Sequence, residues 1–278
     1  MTQVKRHKDS VPVRVLSRLE LKRFQREGLL TDFQLYSAER AGAIRAALRE
    51  VLSLPSTAPC HQAFPPTQQF GFDRHLDRRL VYELCTLPQI IRPITQILGN
   101  DVMLFRTQFF EKPPQGREIP WHQESYFWGV EKGFVTMWLA VDEATPENGA
   151  MRVITGSHTH TREHLPVPPD SHYWSTFTRA AIPSESDRIV DCSMPAGYFM
   201  LFDNLLHNSA YNSTALPRLS FTARYAGPEF ARIHDGADYP DQGCVMVSGH
   251  KGNSGLRFLS PPDSGPGLAD IWALQEAV

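Results

Sequence analysis

What this chain lacks narrows its class before any motif is read. Cysteine is scarce: Cys60, Cys85, Cys192 and Cys244 stand far apart, with no CxxC pair for a zinc site and too few thiols for a disulfide framework. A reducing cytosol is the expected setting. No dense run of Lys and Arg occurs, and a formal net charge of -2 leaves no electrostatic footprint for nucleic acid. Nothing approaches the roughly 20 consecutive apolar residues of a membrane span, so no membrane partner is expected. The opening Met1-Thr2-Gln3-Val4-Lys5-Arg6-His7-Lys8-Asp9 is polar and lacks the apolar stretch of a secretory signal, which again favours a cytoplasmic protein. No internal repeat is found, and hydrophobic residues at 41% with charged residues at 21% exclude the disordered and fibrous classes. All-β barrels with helical additions reach 278 residues as one unit, so a single domain over residues 1–278 is expected.

The first part, about residues 15–100, reads as helical. Ser17-Arg18-Leu19-Glu20 has capping-box spacing, with Leu21 and Phe24 behind it and Gly28 placed to end the helix. Ile44, Ala47, Leu48, Val51 and Leu52 recur at helical spacing, with Ser37 as N-cap and Pro55 beyond the end. Pro88 and Gly99 bracket a third helix striped by Ile90, Ile91, Ile94 and Ile97, with Pro93 as a candidate kink. From about residue 101 to 230 the texture changes to short β-branched and apolar runs broken by Pro, Gly and Asn. Strands are expected at Val102 to Glu111, Phe134 to Val141, Ala150 to Ile154, Gly197 to Phe202 and Leu219 to Ala226. Helices followed by many strands predict a mainly β sandwich or jelly roll with helical support. A stretch rich in His, Pro, Ser and Thr, about 157–191, reads as a lid over a site or a disordered loop, and the tail from about 255 as extended and peripheral.

The chemistry concentrates at Pro120-Trp121-His122-Gln123-Glu124-Ser125. His122 and Glu124 are two apart and so point to one side of an extended chain. One imidazole and one carboxylate, joined by a second imidazole, make the facial triad of non-haem iron(II) sites, which leaves positions open for cosubstrate and dioxygen. His207 is the best candidate for the third ligand, just after the strand ending at Phe202. Arg218 heads the next strand, where a guanidinium suits the far carboxylate of a 2-oxo acid that chelates the metal, and Ser220, on the same face, adds a hydroxyl donor.

A bare HxE is a weak motif; the text around it is specific. Phe24-Gln25-Arg26-Glu27-Gly28-Leu29-Leu30, Pro120-Trp121-His122-Gln123-Glu124-Ser125-Tyr126, Trp138-Leu139-Ala140-Val141-Asp142, Glu147-Asn148-Gly149-Ala150-Met151, Thr155-Gly156-Ser157-His158, His207-Asn208-Ser209 and Arg218 occur in this order over most of the chain. In this the chain resembles the phytanoyl-CoA dioxygenase family, whose members include the ectoine hydroxylases. The resemblance implies a double-stranded β-helix of the cupin-like jelly-roll kind, with iron(II) held by His122, Glu124 and His207. It further implies 2-oxoglutarate anchored at its C5 carboxylate by Arg218, with Ser220 or Thr136 assisting and Gln108 near the cosubstrate, and dioxygen as the oxidant. The family usually has Asp where this chain has Glu124, so the longer arm must adopt another rotamer. Halogenating relatives carry a small residue there, so Glu124 favours hydroxylation or a related oxidation of a small molecule, with specialised metabolism the expected setting.

Simpler readings compete at several positions. Tyr126, Phe127 and Trp128 line an aromatic substrate pocket or belong to the barrel core. His158, His160, His164 and His172 are read as turn and lid residues rather than a second metal site, Asn148-Gly149 as a turn, and Trp138 and Asp142 as structural. Arg106, Arg152 and Arg224 meet an anionic substrate or, more commonly for arginine, are exposed or paired. The rival functions are a cupin-like metal enzyme that uses no 2-oxoglutarate and a degenerate relative that binds a metabolite without turnover. Neither the substrate nor the oligomeric state is encoded legibly.

Overall fold

The first helix shows how local rules place the chain. In the computed structural model α1 (Arg18–Glu27) starts at Ser17, whose hydroxyl accepts from the Glu20 N–H while the Glu20 carboxylate accepts from the Ser17 N–H at 2.8 Å. It ends at Gly28, whose φ of 72° is left-handed. A Cβ there would meet His158 Nδ1 at 2.6 Å and Leu205 Cδ2 at 2.9 Å, so glycine serves both the turn and the close approach. The structure describes residues 11–58, 71–128, 133–168, 179–230, 243–253 and 255–276, without the side chains of Phe127, Trp128 and Glu276.

Among these residues β1 (Leu29–Gln34) follows α1, then come α2 (Ala38–Ser53), α3 (Arg79–Cys85) and α4 (Pro88–Leu98). The strand-rich part holds β2 (Val102–Lys112), β3 (Ile119–His122), a short α5 (Glu124–Trp128), β4 (Phe134–Ala140), β5 (Met151–Ile154), β6 (Leu165–Pro166), β7 (Arg179–Ala180) and β8 (Ile189–Cys192). It continues with β9 (Tyr198–Phe202), β10 (Leu206–Ser209), β11 (Arg218–Ala226) and β12 (Val245–Ser248), and the chain closes with α6 (Leu268–Glu276).

The strands form a six-stranded sheet in the order β1-β9-β4-β11-β2-β12 and a four-stranded sheet in the order β3-β10-β5-β8, with β6 and β7 a separate pair. This is the expected jelly roll. The two faces of the large sheet do different work, as the two-residue period of a strand allows. Phe109, Met137, Leu139, Leu201, Phe221 and Tyr225 pack with Ile44, Leu48, Leu84, Ile90 and Ile94 of the helices. The alternate residues Trp138, Ala140, Met200 and Phe202 pack with Met151 and Val153 of the small sheet. Register on this inner face brings Arg106, Arg224, Thr136 and Phe202 into one cross-strand row, and Gln108, Thr222, Trp138 and Met200 into the next.

Three expectations change. The tail is not wholly extended: α6 packs on α2 and α3, burying Leu268 and Ile271 in the helix-side core. The segment about 157–191 returns to the small sheet through β8, which pairs with β5. Ser37 does sit at the N-cap of α2, but its hydroxyl makes no capping bond. No helix of the described residues is long and apolar enough to cross a membrane.

Candidate functional site

The four-stranded sheet brings the two histidines together. His122 ends β3, His207 lies in β10, and the two are direct register partners. Their ring centroids are 4.2 Å apart. In each ring Nδ1 lies 2.8 Å from the carbonyl two residues back, Pro120 O for His122 and Leu205 O for His207. A carbonyl can only accept, so Nδ1 carries the proton and Nε2 presents its lone pair. Burial, reinforced by the neighbouring imidazole, pushes His122 down to about 3, and burial likewise lowers His207. Both rings are therefore neutral at ordinary pH, the form that ligates a metal.

Glu124 is placed differently from the expectation. The strand stops at His122, and Glu124 is the first residue of α5 rather than a strand neighbour. The side chain of the intervening Gln123 explains the break. Its amide donates to Ser157 O at 3.2 Å, His160 O at 3.0 Å and Asn204 O at 3.0 Å, while its oxygen accepts from Arg162 N–H at 2.8 Å. The Gln123 N–H donates to His164 Nε2 at 3.1 Å. Ser125 completes the clamp, its N–H donating to Asn204 Oδ1 at 3.0 Å. Glu124 then reaches Arg224: Nε and Nη2 both donate to Oε1, at 3.2 and 2.5 Å. Burial by itself would raise this carboxyl; Arg224 and the two imidazoles outweigh it and hold the group below the usual carboxylate range.

The donor set suits an iron(II) ion in kind: two neutral imidazoles with free Nε2 atoms and one ionised carboxylate, all buried. Among the described residues no three His, Cys, Asp or Glu side chains are grouped closely enough to hold a metal as they stand.

The fit to a dicarboxylate cosubstrate rests on an orphaned donor. Arg218 is 2% exposed; its Nε donates to Asn148 O at 3.2 Å and its Nη2 to Ser209 Oγ at 3.4 Å, while Nη1 is buried with no partner. Its guanidinium stands over the Trp138 ring at 5.5 Å, so Trp138 floors the site as well as filling core. Burial pulls Arg218 down to about 10, which still leaves it charged. Ser209 is two residues from His207 on β10, so the bare N–H lies on the histidine side of the barrel. Gly149, with φ of 83°, lets Asn148 O reach Arg218, and a Cβ at Gly149 would meet Ala210 O at 2.6 Å.

Thr136, Ser220, Gln108 and Arg106 lie on the inner face. Thr136 Oγ1 is buried without a partner. Ser220 Oγ donates weakly to Phe110 O at 3.4 Å. Gln108 sits beside Thr222 in its row, and Arg106 stands over Phe72 at 5.2 Å. Tyr126 stacks on His164 at 4.1 Å and is 37% exposed, whereas the Trp128 side chain lies outside the described residues. His158 donates to Gln25 O at 3.1 Å and His160 is exposed, in keeping with turn residues; His172 is outside the described residues. Asp142 is structural, its carboxylate accepting from Leu219 N–H at 2.8 Å.

Sequence reasoning missed Gln123, Asn204 and Lys112. Lys112 is the register partner of Arg218 and 1% exposed, with Nζ donating to Arg117 O at 3.0 Å, Ser209 O at 3.1 Å and Ala210 O. Burial, then repulsion from Arg218, pulls it down to about 7. The sequence carried one faint signal for it: Gly116 and Gly149 both make room for its stem.

The chain is similar to known proteins in sequence and in fold. The family described as Phytanoyl-CoA dioxygenase (PhyH) matches residues 24–220. An ectoine dioxygenase of Sphingopyxis alaskensis is 27% identical over 216 residues, 70% of this chain and 71% of that one. A probable alpha-ketoglutarate-dependent hypophosphite dioxygenase of Stutzerimonas stutzeri is 26% identical over 182 residues, 63% of each chain. In fold, the chain superposes on the structure of CytC3 with Fe(II) and alpha-ketoglutarate with a TM-score of 0.67 at 18% identity, covering 91% of this chain and 97% of that one.

Proposed function

We propose an activity for a chain that belongs to the phytanoyl-CoA dioxygenase (PhyH) family: the iron(II)- and 2-oxoglutarate-dependent oxidation, by dioxygen, of a small organic molecule. The observation that carries it is Arg218, a buried guanidinium with one N–H unsatisfied, tied through Ser209 to the strand that bears His207. A buried donor without a partner costs roughly 1–3 kcal/mol, more when charged, and a carboxylate is the ligand that relieves it.

His122, Glu124 and His207 would hold the metal. Arg218 receives the C5 carboxylate of 2-oxoglutarate, with the hydroxyls of Ser220 and Thr136 as further donors and Gln108 beside them. When bound, the metal and cosubstrate together direct one oxygen atom of dioxygen into converting 2-oxoglutarate to succinate and carbon dioxide and the other to the substrate. The chain's own contribution is orientation and exclusion of water. Carbonyl bonds to Nδ1 fix both imidazoles, the Gln123 clamp fixes the turn between them and the insertion, and Trp138 and Phe202 keep the floor apolar. The presence of a carboxylate at position 124 supports hydroxylation over halogenation. Arg106, on the inner face at the Arg224 end, and Tyr126 at the rim are the substrate-side residues, with Trp128 following on α5. A cytoplasmic setting is supported by the free thiols of Cys85, Cys192 and Cys244.

Anaerobic titration of the Fe(II)-loaded protein with 2-oxoglutarate tests the reading. The weak visible charge-transfer band of a chelated 2-oxo acid is expected in the wild type and lost in His122→Ala and Arg218→Ala. Iron binding with no band at any 2-oxoglutarate concentration would sink it in favour of a cupin-like enzyme without this cosubstrate.

A further inference from the structure

We propose that Arg224 is the positioning residue for the carboxylate of the metal site, and that its grip is what makes glutamate workable at position 124. The inference rests on the metal assignment above. Glutamate has one methylene more than aspartate, hence one more torsion to fix before its oxygen can serve as a ligand. Arg224 supplies the restraint. Its Nε and Nη2 converge on one oxygen, Oε1, and no hydrogen bond to Oε2 is found among the described residues. One oxygen is thus held and the other left as a donor atom, in electrostatic range of both imidazoles.

Arg224 is itself held from its own sheet. Nη1 donates to Thr222 Oγ1 at 3.0 Å, and that hydroxyl donates to Gln108 O at 3.2 Å. The backbone of residue 224 is paired on both sides, with Arg106 on β2 and Thr136 on β4. The side chains of the pair are 4% and 10% exposed, so water does not compete for the contact. A carboxylate that ligates a metal needs such a partner to orient it, and loss of one typically weakens metal affinity by about 10- to 100-fold. An aspartate at position 124 would end one methylene short of this guanidinium and take its orientation from the turn alone.

The test is calorimetric titration with Ni(II), with no cosubstrate and no turnover, of the wild type, Arg224→Gln, Arg224→Lys, Glu124→Asp and the double variant Glu124→Asp/Arg224→Gln. Thermal melts of the metal-free proteins identify which are folded. Arg224→Gln is expected to weaken Ni(II) binding about 10- to 100-fold, with Arg224→Lys recovering part of the loss through its single ammonium contact. In the Glu124→Asp background the same Arg224→Gln change is expected to alter affinity less than about threefold, because the shorter side chain no longer depends on the guanidinium. A purely structural role would lower the melts but leave the affinity of the folded proteins unchanged. Folded Arg224→Gln, or folded Arg224→Lys if the glutamine variant does not fold, binding Ni(II) as the wild type does overturns this inference and leaves the metal assignment standing. Equal losses in the wild-type and Glu124→Asp backgrounds also overturn it. A wild type that binds no Ni(II) overturns it together with the metal assignment.

Discussion

Arg218 and Arg224 stand on one strand, β11, both buried, and are held in opposite ways. Arg224 has its acid inside the protein, 100 residues away in sequence, and uses two N–H groups on one oxygen of Glu124. Arg218 has no carboxylate bonded to it among the described residues; a carbonyl and a serine hydroxyl engage part of the guanidinium, and Nη1 is bare. A buried pair is a closed account of charge, whereas a buried lone cation is an unmet requirement. The two ends of one strand thus separate an arginine whose charge is met by a bonded carboxylate from one that has none bonded to it among the described residues.

The same substitution at both ends breaks or sharpens this contrast. Arg218→Met should lower 2-oxoglutarate affinity at least about 100-fold, since a charged bidentate contact is worth roughly 3 kcal/mol. It should leave the melting temperature of the metal-free protein unchanged or raised, because a desolvated donor disappears. Anaerobic ligand titration and a thermal melt measure the two, and a melt that drops as far as that of the Arg224 variant would erase the distinction. Arg224→Met should act in the other direction on stability, lowering it by about 3–5 kcal/mol by leaving Glu124 buried without its partner. Denaturant unfolding of the metal-free protein reads this directly.

The histidines add a dependence on pH. Their folded-state values lie below the unfolded value of about 6.5, His122 at about 3 and His207 lowered as well. Above pH ~6.5 both folded and unfolded states are neutral; below it the unfolded chain takes up protons that the folded one resists, so stability falls as pH drops toward the folded values. The melting temperature of the metal-free protein should decline between pH 7 and pH 4.5, these bounds being about half a unit above and two below the unfolded value, and His122→Asn should flatten the slope. The smallest effect is expected far from β11: Ser17→Ala removes the cap of α1, costs about 1 kcal/mol, and should leave 2-oxoglutarate binding as in the wild type.

The parts legible in the sequence were those whose signal is local. Ser17, Glu20 and Gly28 announce α1 because a cap is made within one turn, and β2, β4, β9 and β11 are long enough for composition to show. Of the small sheet only β5 was expected from composition; β3 and β10 were seen through their histidines, and β8 fell at the end of a stretch read as a loop. α6 was hidden behind prolines and glycines, and its order comes from packing Leu268 and Ile271 against distant helices. In the site, the motif order pointed to the region holding His122, His207 and Arg218. The turn at Glu124 and its partner Arg224 were not legible, because both depend on contacts 34 to 100 residues away.

The Gln123 amide has a consequence for the order in which the molecule is made. In one side chain it closes loops to Ser157, His160 and Asn204, separations of 34, 37 and 81 residues. Each closure carries an entropic penalty that is offset only when the distant carbonyl arrives. During synthesis His122 therefore leaves the ribosome long before the groups that fix its turn, and the strand bearing His207 is among the last parts of the barrel to appear. On the proposed metal assignment, capture of iron belongs to the end of folding: iron offered to the nascent chain finds His122, Glu124 and His207 scattered, and iron offered to the finished barrel finds the two histidines side by side.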